Sequence, residues 1–367
     1  MSNLKLNISK GFKKLHLNSL MYNITKPFVL NKKINYDYEY CRNKLSEYSS
    51  IPSGQLKGNN TIKSKEYDLY IIVAVYNNEQ YTRKCLESLM NQKTKYSYLC
   101  YVIDDGSTDN SYYITDEYKD KEHFVVIHQE NTGASGSRNK GLENICGKYL
   151  MFVDGDDYVS EDCVEKLMDY AYENDADIVD GSFISLSMEK QYHYQNKKGK
   201  CDYLALSGFQ WLKVIKSELF LDTIFPKDYW FEDTIMSFLI YPLAEKIYQI
   251  DDYVFFHNIN EKGLISIAKG KKKSVDTYWI SELCAKERLK RNYPCDEQYW
   301  RLLRRQFLNN YRRTYLLPNK IKEYIFVLER NLLLEAFPEK FKDDEFMNCF
   351  YNRDFNHYNL YAYWYGL

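Results

Sequence analysis

The sequence lacks any run of about 18 apolar residues, the least that lets a helix cross a bilayer. No secretory signal peptide is recognisable at its start. CxxC pairs are absent as well: the nine cysteines stand at positions 41, 85, 100, 146, 163, 201, 284, 295 and 349. An odd set of unpaired thiols without an export signal points to a reducing cytoplasm. No internal repeat is present, which excludes a repeat architecture. Acidic residues are missing from positions 1–35, where seven lysines stand. Residues 1–66 hold twelve Lys/Arg against four Asp/Glu, so the overall net charge of −1 conceals a strongly basic start and an acidic remainder.

What is present reads as an ordinary globular composition, 28% charged and 45% hydrophobic. The 367 residues suffice for a core domain with an added module. Thirty-seven tyrosines offer many aromatic faces of the kind that stack on sugars and bases. Residues 1–66 read as a basic extension ending in the linker "IPSGQLKGNN". At its start, Leu4, Ile8, Phe12 and Leu15 fall on one helical stripe among lysines. That stripe suits a helix on a membrane surface, or an extension packed on the domain.

From Tyr67 the pattern becomes that of an α/β sheet. Apolar runs at 69–76, 98–104, 123–129 and 148–154 alternate with helix-like segments, and they are apolar on both faces, as parallel strands are. Ligands bind beyond the carboxyl ends of such strands. Three of these ends are polar: Tyr76-Asn77, Asp104-Asp105 and Asp154 to Asp157. Further on, helix-like segments are expected near 207–219 and 233–245, a polar insertion at 185–205, a strand at 248–258 and amphipathic helices over 275–365. The segments expected are 1–66, a sheet domain over 67–270 and a helical region over 271–367.

The cluster "DGDD" (154–157) crowds three carboxylates into four residues, and each raises the others' pKa. It does not fit an EF-hand, because Val159 stands where that loop needs glycine. "GASGSRNKG" lacks GxGxxG spacing, and "GLENICGKY" has Tyr where a Walker loop needs Ser or Thr. A hard divalent cation fits, since carboxylate oxygens suit Mg²⁺ or Mn²⁺, and so does a solvated turn capped by Asp157 or Ser160.

Four motifs decide between them: "VAVYNNEQY" (73–81), "VIDDGSTDN" (102–110), "NTGASGSRNKGL" (131–142) and "MFVDGDD" (151–157). In type and order they resemble glycosyltransferase family 2, whose nucleotide-sugar-binding fold is GT-A, a mainly parallel sheet flanked by helices. The resemblance implies a nucleotide-sugar donor, of the UDP class, held by Ala74, Tyr76, Asn77, Glu79, Asp105, Arg138 and Asp154. Asp104 and Asp109 suit turn and cap chemistry. Mn²⁺ or Mg²⁺ is implied at Asp156, with Asp157 second or orienting.

"DYWFEDTIMSF" (228–238) is similar to the family's Glu-Asp motif. It implies Asp233 as the base that takes the acceptor hydroxyl's proton and Glu232 as the group that positions the acceptor. Tyr229 and Trp230 form an acceptor platform or belong to the core. "VFFHNINEKGLISIA" (254–268) is similar to the family's closing segment, with His257 near its usual Arg, at the metal or the diphosphate.

The reaction implied is inverting transfer of a hexosyl or N-acetylhexosaminyl group to a glycan acceptor in bacterial surface polysaccharide or capsule synthesis. The acceptor is expected to be lipid-linked, on the cytoplasmic face of the membrane. The partners that go with this are peripheral membrane contact through the N-terminus and a homo-oligomer through the C-terminal helices, with no nucleic acid. The competing class is a non-catalytic nucleotide- or glycan-binding relative. A nucleotidyltransferase would need a basic phosphate loop after the first strand, which "VYNNEQY" lacks.

Overall fold

The computed structural model describes residues 17–260 and 270–367. The stripe Leu4, Ile8, Phe12 and Leu15, and the closing segment from 261 to 268, lie outside the described residues. The chain divides into two units, one of Ser53–Asp228 and Glu232–Gly263, the other of Met1–Pro52, Tyr229–Phe231 and Leu264–Leu367. These do not follow the three segments read from the sequence. Residues 38–48, expected within a basic extension, form a helix of the second unit, because Cys41 and Leu45 are buried there.

The first unit is built on strands β1 (Ile62–Val75), β2 (Tyr98–Asp104), β3 (Phe124–His128), β4 (Ile145–Asp154), β5 (Tyr158–Val159), β6 (Ile178–Leu186), β7 (Gln191–Tyr194), β8 (Gly199–Cys201), β9 (Lys213–Lys216) and β10 (Ile247–Asn258). They make one sheet in the order β3-β2-β1-β4-β9-β6-β10-β5, with β7 on β6 and β8 on β10. β1 to β4 run parallel, joined by the helices Glu79–Met90, Ser111–Asp116 and Gly133–Leu142. The apolar sequence from Leu69 to Val73 is buried throughout, as a strand covered on both faces requires. Leu86, Leu89, Leu167, Met168 and Val254 lie in the core on one face of the sheet.

Three expectations need correction. Residues 207–219 do not form one helix: β9 pairs antiparallel with both β4 and β6, the β-branched Val214 and Ile215 are buried between them, and only the short 3-10 turn Ser217–Phe220 follows. Residues 233–245 do not form a regular helix either. They make a π-helical turn, Met236–Ile240, and a 3-10 turn, Tyr241–Leu243, where Pro242 has no N–H to continue the ladder. The polar stretch 185–205 contains β7 and β8.

The second unit contains the helices Asn18–Thr25, Tyr38–Tyr48, Asp276–Lys290, Glu297–Thr314, Asn319–Ala336, Glu345–Tyr351 and Phe355–Gly366. Four of them start where an aspartate accepts a backbone N–H: Asp37 from Tyr40, Asp296 from Tyr299, Asp344 from Met347 and Asp354 from His357. Each such cap contributes about 1 kcal/mol. The aromatic end "HYNLYAYWYGL" packs against the helix Asn18–Thr25: Trp364 Nε1 donates to Thr25 Oγ1 (3.2 Å), and the Tyr22 ring lies edge-on to Tyr361 and Tyr365. Glu329 is fully buried, and burial holds its pKa well above the carboxylate range against hydrogen bonds from Asn310 and Tyr358. It is a hydrogen-bonded polar strut of this core.

Candidate active site at the carboxyl edge of the sheet

Parallel register brings the polar strand ends together. Ala74 pairs with Asp154, Val75 with Asp104, and Asp104 with His128. Beyond the strands, Asp105 N donates to Val75 O (2.9 Å) and Gly155 N to Ala74 O (2.8 Å). Gly155 has no room for a side chain: a Cβ there would stand 2.9 Å from Ala74 O and from Val75 Cγ2. Gly106, at φ +73°, turns the chain behind Asp105.

The loops after β1 and β2 are bolted to each other. Asn77, at φ 49°, accepts from Thr108 N (2.8 Å) and donates its own N–H to Ser107 Oγ (3.0 Å). Glu79 Oε2 accepts from Asn110 N (3.1 Å) and Nδ2 (2.9 Å). Asp109 accepts from Glu79 N (3.1 Å) and Ser111 N (2.9 Å), which is cap chemistry, and Asp104 lies 3.1 Å from His128 Nδ1. Between these braces Tyr76 is 46% exposed.

Asp105 is 2% exposed. Its Oδ1 accepts from Gln129 Nε2 (2.7 Å), Thr132 N (2.9 Å) and Thr132 Oγ1 (3.1 Å). Its Oδ2 is buried and has no hydrogen-bond partner among the described residues. A buried acceptor left open is costly, so this oxygen is poised for a donor from outside the chain.

Arg138, 5% exposed, links two carboxylates distant in sequence: Nη2 donates to Asp154 Oδ1 (2.9 Å) and Nη1 to Glu232 Oε1 (2.5 Å). Burial works against its charge, but Asp154 and Glu232 more than offset this and raise its pKa. The same helix fixes the approach to Glu232, for Asn139 exchanges two 2.8 Å hydrogen bonds with the Phe225 backbone and Ser135 Oγ donates to Pro226 O (2.9 Å). Gln210 Nε2 also donates to Asp154, at 3.3 and 3.2 Å from its two oxygens.

Of the remaining two carboxylates in the turn, Asp157 is buried and accepts from Asn258 N (2.8 Å), so it ties the turn to β10. Burial first, then the charges of Asp156 and Asp154, hold its pKa well above the usual range. Asp156 is partly buried; burial and the Asp154 charge push its pKa up to about 6 against a hydrogen bond from Asn260. Arg138 and Gln210 hydrogen-bond the turn at Asp154, and the Arg138 charge also draws the Asp156 pKa down without offsetting burial and the Asp154 charge.

His257 Nδ1 lies 3.0 Å from Ser185 Oγ, and its ring stacks on Trp211 (5.4 Å, 15°). Burial lowers its pKa against the pull of Asp154, which keeps the imidazole neutral. Asp233 lies one residue beyond Glu232, and its carbonyl accepts from Met236 N (2.9 Å). Tyr229 and Trp230 belong to the helical unit. Tyr229 is 6% exposed with its hydroxyl on Pro52 O (3.1 Å), so its ring has no open face for a sugar, a correction to the acceptor platform. Trp230 donates its backbone N–H to Asp276 Oδ2 (3.0 Å).

Among the described residues no three His, Cys, Asp or Glu side chains converge on one point as a preformed metal cage. The donor set nevertheless fits a hard cation of the Mg²⁺ or Mn²⁺ type. Such ions commonly take one or two carboxylates and complete their shell with water and substrate phosphate, and Asp156 is an under-neutralised carboxylate at the strand end. Sequence reasoning missed Gln210, Asn258 and Asn260. Their only sequence signal is an amide side chain next to an apolar or aromatic run.

The glycosyl transferase family 2 profile matches residues 70–224. The chain is similar to the glycosyltransferase GlyG of Streptococcus pneumoniae serotype 4, 32% identical over 51% of this chain and 69% of that protein. It is also similar to the poly(ribitol-phosphate) beta-glucosyltransferase of Bacillus spizizenii, 31% identical over 53% of this chain and 32% of that protein. The chain spans about a third of the length of the longer curated relatives it matches. Among solved structures, residues 1–349 of S. aureus TarS in complex with UDP-GlcNAc superpose with a TM-score of 0.63 at 18% identity, covering 80% of this chain and 89% of that one. The GT-A fold anticipated from the motifs, a mainly parallel sheet with flanking helices, is thus the one observed. By the GlyG similarity and the motif match together, the chain is a member of glycosyltransferase family 2.

Proposed function

We propose that the chain is an inverting glycosyltransferase that moves a hexosyl or N-acetylhexosaminyl group from a UDP-class nucleotide-sugar to a hydroxyl of a bacterial surface glycan. The observation that carries this reading is the open Oδ2 of buried Asp105, set on the same sheet edge as the Asp154–Asp157 turn. A ring N–H of uracil is the donor that oxygen lacks, and the exposed Tyr76 ring offers a face for the base, with Ala74, Asn77 and Glu79 shaping the loop around it. Asp154 holds the ribose hydroxyls.

Asp156 with Asp157 orienting the turn would hold Mn²⁺ or Mg²⁺, which when bound supplies positive charge against the leaving diphosphate. His257 would meet the same diphosphate as a hydrogen-bonding group. Asp233 takes the proton of the acceptor hydroxyl as its oxygen bonds to the anomeric carbon. The bond from that carbon to the diphosphate breaks in the same step, so the configuration inverts. Glu232 orients the acceptor, and its bond to Arg138 ties that role to the donor carboxylate Asp154.

The surface-polymer setting is supported by the relative that glucosylates poly(ribitol phosphate). Peripheral contact with the inner membrane face is supported by the lysine-rich start and by exposed Leu20, Ile24, Phe28 and Leu30. The test is nucleotide release from UDP-, GDP- and dTDP-sugars with and without Mn²⁺. Slow UDP release that Asp156→Ala abolishes is expected. Release from none of them with Mn²⁺ present refutes catalysis, and nucleotide binding without release identifies a non-catalytic relative.

A further inference from the structure

Lys213, on β9, is 0% exposed. Its ammonium donates to Ser207 Oγ (2.8 Å), Phe209 O (3.2 Å) and Trp211 O (3.3 Å), and pairs with Asp180 Oδ1 at 3.0 Å. Asp180 Oδ2 accepts in turn from Asn196 Nδ2 (3.2 Å) and Gln249 Nε2 (3.1 Å). The Tyr241 hydroxyl closes the same loop by donating to Ser207 O (3.2 Å) and Phe209 O (2.7 Å). Burial lowers the proton affinity of Lys213, while Asp180 and then Asp233 raise it. An apolar side chain of similar length would fill this space without taking an ion out of water. What it could not do is draw three oxygens of residues 207–211 to one point.

That loop carries two side chains of the candidate site. Gln210, 4% exposed, donates to both oxygens of Asp154. Trp211 lies in a stack, between Phe209 at 4.5 Å and Phe255 at 4.8 Å, and under His257 at 5.4 Å. We propose that Lys213 is a positioning residue of the donor site, folding residues 207–211 so that Gln210 and Arg138 together fix the Asp154 carboxylate. Gln210 is thereby a second positioning residue, acting through Asp154. The inference rests on the reading of Asp154 as a nucleotide contact, and it goes beyond that reading by giving the buried ion pair a part in donor affinity.

Calorimetric titration of UDP with Mn²⁺ into the intact chain tests it. The variants are Gln210→Ala, the charge-free pair Lys213→Met/Asp180→Asn, and all three combined. Lys216→Met serves as control, since Lys216 sits three residues along the same strand and pairs with Asp175 and Asp177. Gln210→Ala and the pair should each weaken UDP roughly tenfold. The triple variant should be no weaker than either, because both losses run through one contact, and the control should be unchanged. A pair variant that melts cooperatively and binds UDP like the wild type overturns the inference, as do losses that multiply. If the pair variant does not fold, Ser207→Ala removes one partner of the ammonium and leaves the ion pair intact. Roughly threefold weaker UDP then supports the inference, and unchanged UDP overturns it. A wild type that takes up no UDP removes the nucleotide reading and this inference with it, whereas wild-type binding beside an unaffected pair variant removes the inference alone.

Discussion

Replacing Asp156 with asparagine should stabilise the chain at neutral pH while removing its grip on nucleotide. Burial and the Asp154 charge push the Asp156 pKa from 3.8 up to about 6. A folded-state pKa above the unfolded one means that folding favours the proton. The stability tied to that proton is complete below about pH 4 and is lost as pH rises through about 6. A difference of about two pKa units at 1.36 kcal/mol each makes about 3 kcal/mol a ceiling at pH 7.5. The side chain is partly open to water, so the effective gain is nearer 1–2 kcal/mol, roughly the range expected at a higher effective dielectric. Urea unfolding in EDTA at pH 7.5 and 4.5 measures it. Asp156→Asn should exceed the wild type at pH 7.5, and the gap should shrink by about two thirds at pH 4.5. Adding UDP and Mn²⁺ should then favour the wild type, because only it gains ligand stabilisation. A gap that is equal at the two pH values, or a variant less stable at pH 7.5, would refute the electrostatic account of the acidic turn.

Arg138→Met strips the shared counter-charge from Asp154 and Glu232. It should cost about 3–5 kcal/mol in urea unfolding, with part recovered by adding Glu232→Gln. Asp233→Asn should leave the UDP dissociation constant within about twofold of the wild type while transfer falls by roughly 10²–10⁴, the span assigned to a general base; equal losses in both would remove Asp233 from that role.

The parallel half of the sheet was legible because β1, β2 and β4 are apolar on both faces, a pattern that local sequence states outright. The acidic strand ends were legible for the same reason, since a carboxylate closing such a run has only the carboxyl edge to occupy. β9 was not. "QWLKVIK" sets Lys213 inside an apolar run and favours a helical reading, and Asp180, the Ser207 hydroxyl and the carbonyls of Phe209 and Trp211 make that lysine tolerable in a strand. The Arg138–Glu232 bond spans 94 residues and has no local signature. Tyr229 was ambiguous between platform and core because an aromatic residue beside an acidic pair suits both, and its burial decides for core.

Antiparallel β9 fits between β4 and β6, with Leu150 and Val179 as neighbours of its Ile215 and Val214. During synthesis both flanking strands therefore emerge before the piece that joins them. A chain that ends at residue 212 leaves unmatched the borders of β4 and β6 that β9 joins and also the border of β6 that β10 takes, and each could zip onto another polypeptide. The hazard in making this protein thus lasts from the translation of Leu186 until β10 ends at Asn258, and it is governed by elongation speed and chaperone supply rather than by how firmly the finished sheet holds.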